Sequence, residues 1–123
     1  MKLLWATVSR WPVISEILDT LGDSKYFSTV DCASGFLQVP VIPKDQVKTA
    51  FSTRKGHFQY KRMPFGLKGA PATFQRLMTT VLSGMLGFKC IVYLDDDVVF
   101  GENLNTHSER LCEVFSRMRK HNL

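Results

Sequence analysis

The sequence has few cysteines, and none are spaced for metal or redox work. Cys32, Cys90 and Cys112 are far apart, odd in number and free of any Cys-x-x-Cys pair. Neither a zinc knuckle nor a disulfide framework is therefore signalled, and reduced thiols are the simple reading. Long apolar runs are missing too. The longest near the middle, Cys90 to Leu94, is far short of the roughly 20 residues that cross a bilayer. Met1 to Trp5 opens without the apolar core of a signal peptide, so no membrane partner is expected. Internal repeats and low-complexity tracts are absent. With 45% hydrophobic and 22% charged residues, the 123-residue chain has the make-up of one ordinary globular domain with a real core.

Acidic residues are scarce in one particular stretch. Between Lys44 and Ala70 stand Lys44, Lys48, Arg54, Lys55, Lys61, Arg62 and Lys68 against Asp45 alone, while the whole chain carries +5. Such a local excess favours a polyanionic partner, nucleic acid first, with a merely solvated surface as the bland alternative.

Hydrophobic periodicity sketches the elements. Pro12, Val13, Ile14, Ile17, Leu18 and Leu21 suit a short amphipathic helix stopped by Gly22. Tyr26 to Asp31 is a short β-prone run ending on an acid, and Pro40 and Pro43 keep the next segment extended or turning. Thr49 to Thr53 and Phe58 to Arg62 read as strands around a Gly56-His57 turn. Pro71 opens the clearest helix, with Phe74, Leu77, Met78, Val81, Leu82 and Met85 at three- and four-residue steps and Gly87 at its end. A second hairpin joins Phe88–Tyr93 to Val98–Phe100. A last helix covers about Thr106 to Lys120, with Leu111, Val114, Phe115 and Met118 on one face. His107, near its start, reads as a surface or capping residue, and Met78, Met85 and Met118 as core. This order of elements predicts an α+β fold.

The residues least expected where they stand are Asp95, Asp96 and Asp97, set between Ile91-Val92-Tyr93-Leu94 and Val98-Val99-Phe100. Aspartate is depleted in strands. Two carboxylates about 4 Å apart repel by roughly 4 kcal/mol at an effective dielectric near 20. Either a turn leaves the acids solvated or a cation compensates them. Asp31 closes a strand of its own. If that strand lies beside the acidic hairpin, Asp31 faces Asp95 and Asp96 across a strand pair. Carboxylates converging from separate strands make an oxygen-rich site suited to magnesium, and a pair of such ions suits nucleotidyl transfer.

These residues fall into motifs. Tyr93-Leu94-Asp95-Asp96 resembles the Tyr-x-Asp-Asp motif of reverse transcriptases, and Phe27-Ser28-Thr29-Val30-Asp31 with Ser34-Gly35-Phe36 resembles their first catalytic motif. Arg62-Met63-Pro64-Phe65-Gly66-Leu67-Lys68 and Ala70-Pro71-Ala72-Thr73-Phe74-Gln75 resemble the segment between the two. Lys48-Thr49-Ala50-Phe51-Ser52-Thr53 with Gly56-His57-Phe58 is similar to the gypsy group of long-terminal-repeat elements, and the likeness runs in order from about Trp11 to Leu123.

The resemblance implies a polymerase palm-type antiparallel sheet packed on helices, with part of the fingers. Residues 1–25 would form a degenerate N-terminal segment with a short helix, and residues 26–123 the palm and fingers core without a thumb. It implies Asp31, Asp95 and Asp96 as the catalytic acids, with the Cys32 carbonyl as a further contact to two Mg2+ ions, for which Mn2+ could substitute. Phe36 would lie beneath the incoming sugar and favour deoxynucleotides, or else be a plain core aromatic. Phe65 and Gly66 would touch the nucleotide, with Phe65 as a buried loop anchor the alternative. Lys61, Arg62, Lys68, Gln75 and Tyr93 would meet template or primer. For Gln75 the bland reading is an exposed polar residue, and for Tyr93 simple packing.

The implied partners are an RNA template, a DNA primer or hybrid duplex, dNTP and the rest of a Pol polyprotein. The implied setting is intracellular, in the cytoplasm, a virus-like particle or the nucleus. Asp97 departs from the family pattern, which has an apolar residue there; alternation sends it to the face opposite Asp96, where exposure is the simple expectation. Because the upstream fingers and the thumb are missing, this chain is expected to be weak or inactive alone. An inactive remnant that binds nucleic acid and an interaction module with an open sheet edge are the competing readings.

Overall fold

The computed structural model describes residues 14–93 and 96–123. Pro12 and Val13, expected in the first helix, lie outside them, as do Leu94 and Asp95. Four helices and five strands follow in the order α1 (Ile14–Leu21), β1 (Tyr26–Asp31), α2 (Pro43–Gln46), β2 (Phe51–Thr53), β3 (Gly56–Phe58), α3 (Ala70–Val81), β4 (Cys90–Tyr93), β5 (Asp96–Gly101) and α4 (Leu104–Lys120). Three strands form an antiparallel sheet in the order β1-β5-β4, and β2 and β3 pair as a separate hairpin. The fold is α+β, as expected.

The sheet has two unlike faces. Strand alternation puts Asp97 and Val99 of β5 with Cys90 and Val92 of β4 and Val30 of β1 on one face. That face meets Phe74, Met78 and Val81 of α3 and Val114 and Met118 of α4 in the main core. The opposite face carries Asp31, Asp96 and Tyr93, all exposed. Met78, Met85 and Met118 are buried as expected. Arg117 of α4 donates to the Ser83 carbonyl at 3.1 Å, just past the end of α3, where a cation offsets the carbonyl end of the helix dipole.

Several expectations are corrected. The hairpin turns at Arg54 and Lys55, not Gly56-His57, because Gly56, at φ 135°, already opens β3. Gln59 to Arg62 is not a strand; only Arg62 bridges to Pro40. Pro43 starts a helical turn, since its fixed φ suits a first helical position. Helix α3 ends at Val81, and Met85 is buried from the turn beyond it, its carbonyl accepting from Lys89 N at 2.9 Å. Helix α4 starts at Leu104, capped by Asn103, whose side chain accepts from Thr106 N at 2.9 Å. Phe115 falls off its inner face and is exposed, while His107 is buried and does not cap.

Candidate active site

The antiparallel register decides how the acids meet. Asp31 pairs with Asp96 across β1 and β5, and Tyr93 pairs with Asp96 across β4 and β5. The three residues therefore form one rung across the sheet, all exposed on the same face. Directly opposed residues of an antiparallel pair hold their Cβ atoms about 4.5–5.5 Å apart. Two carboxylates are thus brought side by side in water-accessible space, a donor set suited to a hard cation. Asp95, expected to be the second ligand, lies outside the described residues, and among those described no group of three or more acidic, histidine or cysteine side chains is placed to hold a metal ion.

Asp97 corrects the expectation of an exposed carboxylate. It does point away from Asp96, but the face it reaches is the covered one, and it is only 2% exposed. Burial, then the charges of Asp96 and Asp31, push its pKa up to about 7. Among the described residues no hydrogen bond or ion pair is formed by its carboxyl. Its charge reaches both nearby thiols: Cys90 is pushed up to about 11, first by burial and then by Asp97, and Cys32 is raised by burial, Asp97 and Asp31.

Beside the rung lies a pocket of about 150 Å³ lined by Asp31, Cys32, Ser34, Gly35, Phe36, Phe65 and Phe74. The chain leaves β1, turns at Ser34 with a left-handed φ of 51°, and enters a 3-10 turn over Gly35–Gln38 that carries Phe36 inward. The Phe36 ring sits edge-on to Phe74 at 5.6 Å and tilted against Phe65 at 5.2 Å. Phe36 is buried and Phe65 is 68% exposed, so Phe65 is no loop anchor; Met63 and Pro64, both buried, hold that loop. Gly35 has no room for a side chain, since a Cβ there would stand 2.7 Å from the Phe74 ring.

The other expected residues scatter. Lys61, Arg62, Gly66 and Lys68 are exposed. Arg62 is partly committed to the fold, donating to the Gln38 carbonyl at 2.7 Å and so tying down the end of the 3-10 turn. Gln75 is buried, with its Oε1 unpartnered, rather than an exposed polar residue of α3. Ser34, Gly35 and Phe74 line the pocket without having been singled out for it. The first two lay in a motif whose assigned members were Asp31 and Phe36, and Phe74 looked like helix core.

With this geometry in view, the sequence profile described as "Reverse transcriptase (RNA-dependent DNA polymerase)" matches residues 2–123. The chain belongs to the reverse transcriptase family. It is 46% identical over 116 residues to the retrovirus-related Pol polyprotein from transposon 297 of Drosophila melanogaster, covering 93% of this chain and 11% of that polyprotein. To the Pol polyprotein from transposon gypsy of the same organism it is 38% identical over 113 residues, 88% of this chain and 11% of that one. Among solved structures, the foamy viral protease-reverse transcriptase in complex with RNA/DNA hybrid superposes with a TM-score of 0.77 at 29% identity, over 90% of this chain and 15% of that one. This reverse transcriptase domain thus spans about a tenth of the retrotransposon relatives it matches.

Proposed function

We propose that this chain is the catalytic core segment of an RNA-directed DNA polymerase carried in a gypsy-type Pol polyprotein. The observation that carries the reading is the rung of Asp31, Asp96 and Tyr93 beside the pocket floored by Phe36. In the reaction, the 3′-oxygen of a primer attacks the α-phosphorus of a dNTP, the α–β phosphoanhydride bond breaks, pyrophosphate leaves, and the hydroxyl proton passes to solvent. Asp31 and Asp96, with Asp95, would hold the Mg2+ ions, and the Cys32 carbonyl would add an oxygen. Bound there, the ions would neutralise phosphate charge and increase the acidity of the attacking hydroxyl.

The chain's own residues supply position. Phe36 offers an apolar floor that disfavours a ribose 2′-hydroxyl, since a buried hydroxyl without a partner is costly. Phe65, which lines the pocket, and Gly66, next to it in sequence, would meet the nucleotide, and Tyr93, beside the acids, the primer end. Lys61, Arg62 and Lys68 would attract the template–primer backbone, with Gln75 beneath it. The foamy viral enzyme in complex with hybrid supports an RNA template and DNA primer as partners. An intracellular site of action fits such a polyprotein.

The test titrates Mg2+ and Mn2+ into the purified chain with Asp31→Asn and Asp95→Asn alongside, then measures primer extension on an RNA template. Metal-dependent stabilisation that both substitutions remove, together with any incorporation, supports the reading. A well-folded chain with no metal response overturns it. In its place would stand an inactive, nucleic-acid-binding remnant, a reading favoured by the buried acid at Asp97 beneath the catalytic pair.

A further inference from the structure

The β2–β3 hairpin carries an aromatic surface that the polymerase site does not use. Phe51 and Phe58 are paired directly across the strands, their rings stacked at 5.9 Å and 28°. Tyr60 adds a third ring, 5.4 Å from Phe51. The three are 43%, 48% and 39% exposed. Other large aromatics are exposed in the chain, among them Phe88 and Phe115, but among the described residues only at this hairpin do exposed rings contact one another.

The charge around these rings has one sign. Arg54 and Lys55 form the exposed tip, and the exposed Lys61 and Arg62 follow Tyr60 in the chain. The only acid in the stretch, Asp45, is covered and engaged by Lys48 at 2.7 Å. The opposite face of the hairpin is polar, with Ser52 Oγ and His57 Nδ1 2.7 Å apart. An apolar protein partner would find a surface ringed by lysine and arginine, whereas a polyanion with flat apolar faces would match both features. Single-stranded nucleic acid is that ligand, because its bases are free to stack on rings while its phosphates meet cations; in a duplex the base faces are hidden.

The surface is also joined to the active site. Past Tyr60 the chain pairs back onto the segment leading from the pocket, with Val41 N donating to the Lys61 carbonyl at 3.0 Å and Met63 N to the Val39 carbonyl at 2.9 Å. Phe65, which lines the pocket, is five residue steps on from Tyr60, a span of at most about 18 Å.

We infer that Phe51, Phe58 and Tyr60, with Arg54 and Lys55, form a stacking platform for a single-stranded stretch of template outside the active site. The inference deepens the nucleic-acid reading above and rests on it. A platform built on ring stacking does not read the sugar, so single-stranded RNA and DNA should bind alike.

Fluorescence anisotropy with labelled oligouridine, oligothymidine and a blunt duplex tests it on the full chain. Phe58→Ala and Tyr60→Ala should each weaken binding of both single strands about fivefold or more while leaving duplex binding unchanged. Phe58→Tyr should keep the affinity, and near-ultraviolet circular dichroism checks that each variant is folded. Arg54→Gln with Lys55→Gln should lower the salt slope by roughly 1.4. Unchanged single-strand affinity in folded ring variants overturns the inference, as does loss of a concentration-dependent self-association in its place. If primer extension persists while ring variants bind normally, the platform alone fails. If the wild type shows no metal response but the ring variants lose single-strand binding, the platform stands and the polymerase reading falls.

Discussion

Asp97 is the residue whose surroundings are least like its neighbours'. One position along from an exposed Asp96, it lies under the sheet with its carboxyl pKa near 7 against an ordinary 3.8. Between those values the folded chain holds a proton that the unfolded chain releases. Stability from this group is therefore full below about pH 4, is lost as pH rises from there to about 7, and falls no further above that; the loss is up to about 4 kcal/mol. Asp97→Ile should raise Tm at about pH 8 more than at about pH 5 and flatten the profile, as thermal melts with a chelator present will show. An Asp97→Ile chain that is no more stable at the higher pH would contradict this account. The acids themselves could be read from sequence because they stand against local propensity. The cover over Asp97 could not, because alternation tells which residues share a face but not which face a helix will occupy. His107 was hidden for the same reason.

At the scale of elements, the contact between β5 and α4 is unusually close. A Cβ at Gly101 would lie 2.8 Å from His107 N and 2.9 Å from its Cα, both backbone atoms of the first turns of α4. Gly101→Ala should therefore push the helix off the sheet and cost about 1–3 kcal/mol in urea denaturation. Asn103→Ala, which removes the side chain accepting from Thr106 N, should cost about 1 kcal/mol. If Gly101→Ala proves neutral, the close approach has been misjudged. Helices α3 and α4 were legible because Phe74, Met78 and Val81, and Leu111, Val114 and Met118, repeat at helical steps. Helix α2 was not: Pro43, Lys44, Asp45 and Gln46 hold no apolar period, and proline suits a helical start as well as a turn. The hairpin's first strand was placed correctly, but its turn and second strand were set too late, because a glycine in a strand looks like a glycine in a turn.

Across the whole molecule, burial is uneven. Helix α1 has no buried residue, and Ile14 and Leu18 are 69% and 64% exposed, whereas Met78 and Val114 are almost wholly covered. Ile14→Gln with Leu18→Gln should change stability by no more than about 0.5 kcal/mol, while Met78→Ala should cost about 2–5 kcal/mol. Chemical denaturation of both variants checks the contrast, and a large effect at α1 would mean that it packs more firmly than its exposure indicates. The amphipathic pattern of α1 announced a helix but not whether its apolar stripe would find a cover. The palm-like order of elements was legible because periodicity and motifs agreed; the pocket was only half legible, since Phe74 reaches it from a helix forty residues downstream of β1. The tandem aspartates carry one more implication. Three identical side chains in a row cannot tell β5 which of them should face outward, and a slip of one residue would exchange Asp96 with Asp97 without changing the local composition. The choice is made further along the strand, where Val99 fits the core and Gly101, about 17 Å from Asp96, leaves no room for a side chain beneath His107. The aim of the acids is thus indexed in part by a residue with no side chain, several positions away from the chemistry it orients.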